Sequence, residues 1–91
     1  MNKIVIELTE RVRKDYQALP KAVKKKFKKQ LRFLAEKPRH PSLQVHRIRG
    51  SSGYCEFYID DSYRCIFRQK DNVFSLIAAG SHKVIDEFAR K

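Results

Sequence analysis

Residues 54–68 read Tyr54-Cys55-Glu56-Phe57-Tyr58-Ile59-Asp60-Asp61-Ser62-Tyr63-Arg64-Cys65-Ile66-Phe67-Arg68. Two runs rich in aromatic and β-branched residues flank Asp60-Asp61-Ser62, a polar turn, and this is the signature of an antiparallel hairpin. With that loop, Phe57 opposes Cys65 and Tyr58 opposes Arg64. One face then carries Cys55, Phe57, Ile59, Tyr63, Cys65 and Phe67, and is nearly all apolar. The other carries Tyr54, Glu56, Tyr58, Arg64, Ile66 and Arg68, which is polar, aromatic and cationic. A slip of one residue would exchange the two sets, so the apolar set fixes the register. The first face is expected under helices, and the second is expected to face solvent or a ligand.

Strands are also expected on either side of the hairpin. Gln44 to Arg49 is one candidate, ended by Gly50-Ser51-Ser52-Gly53. After the turn at Asp71-Asn72, Val73 to Ala79 is another, with Phe74, Leu76 and Ala78 assigned to one face. Gly80-Ser81 leads into Val84–Phe88, which reads as a short terminal helix. Upstream, Ile4 to Leu8 alternates as a strand, and Thr9 stands as a helix cap with Glu10 in the first turn. Val12, Tyr16 and Leu19 recur at helical spacing until Pro20. From Lys21 to Lys37, Val23, Phe27, Leu31 and Leu34 fall within an arc of about 80°, and Lys21, Lys24, Lys25, Lys28, Lys29 and Arg32 within a separate arc of about 140°. Two helices joined at Pro20 make a helical hairpin, closed by Pro38 and Pro41. The expected fold is α+β: an N-terminal strand, a helical hairpin packed on a four-stranded antiparallel sheet, and a short C-terminal helix, all in one domain over 1–91.

The charge is concentrated. The 91 residues hold 21 Lys and Arg against 10 Asp and Glu, a net charge of +11. Residues 11–49 contain 14 of those bases and only two acids, Asp15 and Glu36, so they net +12 and the remainder −1. A field this local points to a polyanionic partner, with RNA, DNA, an anionic membrane surface and an acidic protein as the candidates. Seven bases in residues 21–32, with no acid among them, exceed what solubility needs and favour RNA phosphates. No apolar run is long enough to span a bilayer, and the apolar stretch of MNKIVIELTE is too short for a signal peptide. Cys55 and Cys65 make no disulfide framework and are expected as free core thiols in a reducing, cytoplasmic setting. Neither cysteine stands with a histidine at metal-ligand spacing, and the glycines form no phosphate loop.

Several stretches together resemble the RelE/ParE toxin superfamily. They are Leu19-Pro20-Lys21-Ala22-Val23-Lys24-Lys25-Lys26 in the helical hairpin and Lys37-Pro38-Arg39-His40-Pro41-Ser42-Leu43 after it. Arg47-Ile48-Arg49-Gly50 is similar to the family's basic strand end, Tyr63-Arg64-Cys65-Ile66-Phe67 to its Tyr-Arg-x-Ile-Phe strand, and Ala79-Gly80-Ser81-His82 to its Gly-x-His strand ending. The resemblance covers nearly the whole chain. In the RelE branch it implies the toxin of a type II toxin–antitoxin pair: a ribosome-dependent, metal-independent mRNA endonuclease that takes no cofactor. Its implied partners are a cognate acidic antitoxin, the ribosome and mRNA, with no membrane. The ParE branch implies a DNA gyrase inhibitor instead, and the basic helix alone would suit a non-catalytic RNA-binding module.

Cleavage by a 2′-hydroxyl needs a base, cations at the phosphoryl oxygens and an acid for the leaving oxygen. The guanidinium of Arg64 can hold a phosphate with two donors, or else pair with Glu56 across the strands. His82 suits acid or base work near neutral pH, and matches the family's site. Glu56 or Tyr58 is its expected partner, and Tyr58 can alternatively stack on a base. His46 and Arg49 are expected near the same cleft. The helix bases Lys21, Lys24, Lys25, Lys28, Lys29 and Arg32, with Arg47 and Arg68, are the expected RNA-binding set. The chain departs from the family in having no Lys or Arg within Tyr54–Tyr58, and Phe88 where some members have a C-terminal tyrosine.

Overall fold

The computed structural model describes residues 3–50 and 53–89. Strand β1 (Val5–Leu8) leads through Thr9 into α1 (Glu10–Ala18). Helix α2 (Lys21–Glu36) follows Leu19-Pro20 and runs into a single 3₁₀ turn at Pro41–Leu43. The remaining elements are β2 (His46–Arg47), β3 (Tyr54–Tyr58), β4 (Tyr63–Lys70), β5 (Val73–Ser81) and α3 (His82–Ala89). None of the described helices is long and apolar enough to cross a membrane.

Local chemistry explains the boundaries. The hydroxyl of Thr9 accepts from Val12 N at 3.2 Å and donates to Leu76 O at 2.8 Å, so one side chain caps α1 and fastens it to β5. Leu19 stops α1 in an extended conformation. Pro20 pre-sets the start of α2 and its carbonyl accepts from Lys24 N at 2.9 Å.

The sheet has five strands in the order β1-β5-β4-β3-β2. The β2, β3, β4 and β5 pairings are antiparallel as expected, while β1 adds a fifth strand parallel to β5. A parallel pair needs a long crossover connection, and the helical hairpin with the intervening strands supplies it. The hairpin register is the expected one: Phe57 opposes Cys65 and Tyr58 opposes Arg64. The strand expected over Gln44–Arg49 shrinks to His46–Arg47, since Gln44 adopts φ +46° and ends the turn before it. Ser51 and Ser52, expected in the following turn, lie outside the described residues.

Helices α1 and α2 pack on the apolar sheet face. Val12, Leu19, Val23, Phe27 and Leu34 meet Phe57, Cys65, Phe67, Phe74 and Leu76 in one core. Ala78 was expected in this set and is not. A bulge between Ile66 and Phe67 pairs Ile66 with Ala78 but Phe67 with Leu76, so Ile77 is the extra residue. That extra residue flips the alternation: Ala79 joins the main core, while Ala78 moves to the opposite face. There α3 covers it, with Ile85 fully buried against Ile66 and Ala78, and Phe88 edge-on to Tyr54 at 5.9 Å. The expectation that this second face is wholly open is therefore corrected. An amphipathic terminal helix must bury its Ile85–Phe88 stripe, and half of the face supplies the surface.

Candidate functional site: an arginine cluster beside two histidines

The half of the second face that α3 leaves uncovered holds Glu56, Tyr58 and Arg64. Arg64 is only 6% exposed. Its Nη1 donates to the carbonyls of Asp60 at 2.8 Å and Tyr63 at 3.1 Å. The guanidinium carbon stands 3.4 Å from the centroid of the Tyr58 ring, a close cation–π stack. Its Nε is 3.5 Å from Glu56 Oε1 and is buried without a hydrogen-bond acceptor. Among the described residues Nη2 makes no hydrogen bond. The Glu56–Arg64 pair runs diagonally across the hairpin, because Glu56 directly opposes Ile66.

His46 joins from the edge strand. It pairs with Glu56 in the ladder, and its Nε2 lies 3.6 Å from the same Oε1. Its Nδ1 is 2.9 Å from the carbonyl of Gln44, which only accepts, so that nitrogen carries a hydrogen in this contact. The ring is thus held at both ends while half of the side chain remains exposed. One carboxylate, on a side chain only 11% exposed, faces both an imidazole and a guanidinium.

On the other side, Gly80 of β5 pairs directly with Arg64. A Cβ on Gly80 would stand 3.3 Å from Val84 Cγ1, so the glycine lets α3 turn back tightly over the strand end. His82 follows two residues later as the first residue of α3. Its backbone N–H donates to Ser62 O at 2.8 Å, anchoring it to the hairpin turn, and its exposed Nε2 lies 3.6 Å from Asp86 one helical turn on. Arg64 therefore stands on β4 between β3, which carries Tyr58, and β5, which leads to His82.

The other expected residues are distributed less closely. Arg49 is exposed and lies past the end of β2, outside the ladder. Arg47 opposes Cys55, which puts it on the sheet face away from Arg64. Arg68 is on the Arg64 face, exposed, 5.1 Å from the centroid of Tyr54. Lys21, Lys25, Lys28, Lys29 and Arg32 are exposed, and Lys24 reaches over the ring of Tyr16 at 5.6 Å. These helix bases belong to the layer behind the sheet, so the broad positive field and the arginine cluster occupy opposite sides of the domain. Lys26 links the two at the hairpin tip, with Nζ 3.9 Å from Asp60 Oδ2.

Two supporting residues were not singled out from the sequence. Asp60 uses Oδ1 to accept from Ser62 N and Tyr63 N, closing the hairpin turn, while its carbonyl takes the Arg64 guanidinium. An Asp opening a polar turn before Ser carries that signal. Gln30 is buried in α2; its Nε2 donates to Ser42 O at 3.0 Å and Tyr58 O at 2.7 Å, and its Oε1 accepts from Ser42 Oγ. Its place between Phe27 and Leu34 on the apolar stripe was the available clue. Both cysteines are free. Burial pushes the Cys65 thiol well up from its ordinary value and the half-buried Cys55 thiol up as well, the latter opposed by Arg47. Among the described residues, no three His, Cys, Asp or Glu side chains cluster closely enough to hold a metal ion.

No protein-family model matches the sequence, and no curated protein matches it either. Solved structures do. The toxin in the Escherichia coli DinJ–YafQ toxin–antitoxin complex superposes with a TM-score of 0.77 at 20% identity, covering 92% of this chain and 98% of that one. The archaeal RelE–RelB complex from Pyrococcus horikoshii gives 0.69 at 22% identity over 88% and 96% of the two chains. The intact E. coli RelBE toxin–antitoxin complex gives 0.67 at 25% identity over 86% and 95%. A strand, a helical hairpin, an antiparallel hairpin sheet and a short terminal helix, matched over almost the full length of these chains, give this protein the fold of the RelE/ParE toxin superfamily.

Proposed function

We propose that this chain is the toxin of a type II toxin–antitoxin pair and cleaves mRNA on the ribosome without a cofactor, its partner being an acidic antitoxin. The observation that carries the proposal is Arg64, a guanidinium fixed by two carbonyls, a carboxylate and an aromatic face, with His46 on the same carboxylate and with Gly80, two residues before His82, paired to it across the strands. In the reaction the RNA 2′-hydroxyl oxygen attacks the adjacent phosphorus and the bond to the 5′-oxygen breaks. A 2′,3′-cyclic phosphate and a 5′-hydroxyl result. Arg64 holds the phosphoryl oxygens as negative charge grows on them. His82 and His46 are the acid–base pair: one takes the 2′-hydroxyl proton and the other gives a proton to the departing oxygen. Glu56, buried between His46 and Arg64, positions both rather than acting as the base. Tyr58 orients the guanidinium. The lysine face of α2 draws the domain to ribosomal RNA by its charge.

Purified protein added to translating ribosomes should cut mRNA, with the ends mapped by primer extension. His82→Ala and Arg64→Lys should each slow cleavage by at least about 100-fold, the usual scale of one acid–base or oxyanion contribution. Intact mRNA with wild-type protein, or full activity in both variants, would sink the reading. A second reading, a gyrase inhibitor, draws support from the burial of Arg64 and the absence of cations within Tyr54–Tyr58. Undiminished DNA supercoiling at stoichiometric protein would exclude it.

A further inference from the structure

The connection between α2 and β2 encloses an open cavity of about 330 Å³ lined by Pro38, Arg39, His40, Pro41, Gln44 and Val45. None of these residues belongs to the arginine cluster. The cavity is formed by the segment that leads into β2, the edge strand of the sheet. One of its walls is an aromatic ring already in position. His40 stacks on Phe33 with centroids 3.9 Å apart and planes 9° from parallel. Its Nδ1 meets Ser42 N at 3.1 Å and Ser42 Oγ at 2.8 Å, which fixes the ring's rotation. Ser42 is in turn held by buried Gln30. Lys29 reaches to 5.8 Å from the Phe33 centroid and extends the stack with a cation.

From this geometry we infer that the cavity is a binding site for one unpaired nucleotide of RNA, its base stacked on His40 and its phosphate directed to Arg39. One face of the imidazole is spent on Phe33 and His40 is a lining residue of the cavity, so the opposite face is the one on which a second flat π-system would continue the stack. Unpaired bases dock in this way on aromatic and imidazole surfaces. Val45 is 41% exposed and supplies an apolar side wall. The side-chain amide of Gln44 makes no hydrogen bond among the described residues and stands at the rim, where it can meet a base edge. Arg39 is exposed and offers a planar fork for phosphate. The volume is at the small end of ligand pockets, about 300–1,000 Å³, which suits a single nucleotide and excludes a duplex. The inference rests on the RNA-directed reading of the protein only in taking the nucleotide to be part of an RNA.

The test is the binding of a short single-stranded RNA carrying one 2-aminopurine, with 2′-O-methyl riboses so that cleavage cannot intervene. Wild-type protein should quench the 2-aminopurine emission and bind this strand about 5- to 150-fold more tightly than the same strand with an abasic site there. His40→Asn keeps an acceptor for Ser42 N–H but removes the ring, so it should bind both strands at the abasic level while circular dichroism shows it folded, with a Tm lowered only by the lost stack on Phe33. His40→Phe loses the acceptor and keeps the ring, so it should retain the tighter binding. Equal affinity of wild-type protein for the two strands overturns the inference, as does wild-type affinity in His40→Asn or abasic-level affinity in His40→Phe. The mRNA cleavage assay on ribosomes separates this from the proposed activity. Base-dependent binding without cleavage leaves the nucleotide site standing and removes the endonuclease. Cleavage with no base dependence does the reverse.

Discussion

Replacing Arg64 by alanine removes one partner of a pair whose other partner stays buried. Glu56 Oε1 lies 3.5 Å from Arg64 Nε, and the two side chains retain 11% and 7% of their exposure. At an effective dielectric constant of about 20, that separation corresponds to roughly 4–5 kcal/mol of gross attraction. Little of it survives as net stability, because both charges are desolvated and the Nε contact falls short of a hydrogen bond. Removing the whole pair should therefore cost less than the two single losses taken together, because no charge is then left buried alone. With Arg64 alone removed, a carboxylate remains with His46, 3.6 Å away and half exposed, and the Asp60 carbonyl loses the guanidinium, while Tyr63 O keeps Ile59 N and Asp60 N. Breaking a buried pair from one side typically costs about 3–5 kcal/mol, and the remaining imidazole brings the expected loss for Arg64→Ala to about 2–4 kcal/mol. Glu56→Gln should cost about 1 kcal/mol. The double variant should be about 1–2 kcal/mol more stable than the sum of the single losses predicts. Urea unfolding followed by circular dichroism measures all four proteins, and a domain of this size has enough stability for Arg64→Ala to stay folded. Losses that add to within about 0.5 kcal/mol would refute the coupling, and with it the claim that Glu56 holds the guanidinium in place.

Four further outcomes are expected. Gln30→Leu keeps the volume but strips the donor from the carbonyls of Ser42 and Tyr58, and should cost about 1–3 kcal/mol by the same unfolding measurement. Ile85→Ala removes the fully buried anchor of α3, so amide hydrogen exchange should accelerate across residues 82–89 while the protection of β4 and β5 changes little. Cys65 is protonated in the fold well above its ordinary range, so its burial supports the native state below about pH 8.5 and that support fades as the pH rises and the unfolded thiol ionises. A pH series of unfolding curves should show a steeper alkaline loss in wild type than in Cys65→Ala, which retains only the smaller contribution of Cys55. A thiol reagent should label half-buried Cys55 in the native protein and Cys65 only on unfolding.

The sequence by itself determined the elements whose side chains repeat. The Tyr54–Phe67 hairpin and its register followed from one apolar set alternating with one polar set, and a one-residue shift would have buried Glu56 and Arg68 in the main core. The amphipathic α2, the cap at Thr9 and the free state of the two cysteines were equally readable, because each depends on residues close in the chain. Four of the candidate site residues, His46, Glu56, Tyr58 and Arg64, do come together, since they lie at matched positions on paired strands.

Tertiary structure decided the rest. The parallel placement of β1 depends on where a helical hairpin delivers the chain. The bulge at Ile66/Phe67 depends on how β4 and β5 are stacked between two layers of helix, and it alone moves Ala78 from one core to the other. The burial of Arg64 is likewise invisible in a strand pattern, which gives the side a residue points to but not what lies over it. Carbonyls from the Asp60–Tyr63 turn and the ring of Tyr58 enclose the guanidinium. The helix charges could be counted in the sequence, yet only the layering shows that they lie behind the sheet from Arg64. Side-chain periodicity is a property of one element, whereas coverage is set by elements distant in sequence, and it is coverage that turns an arginine on a strand into a fixed and nearly enclosed cation.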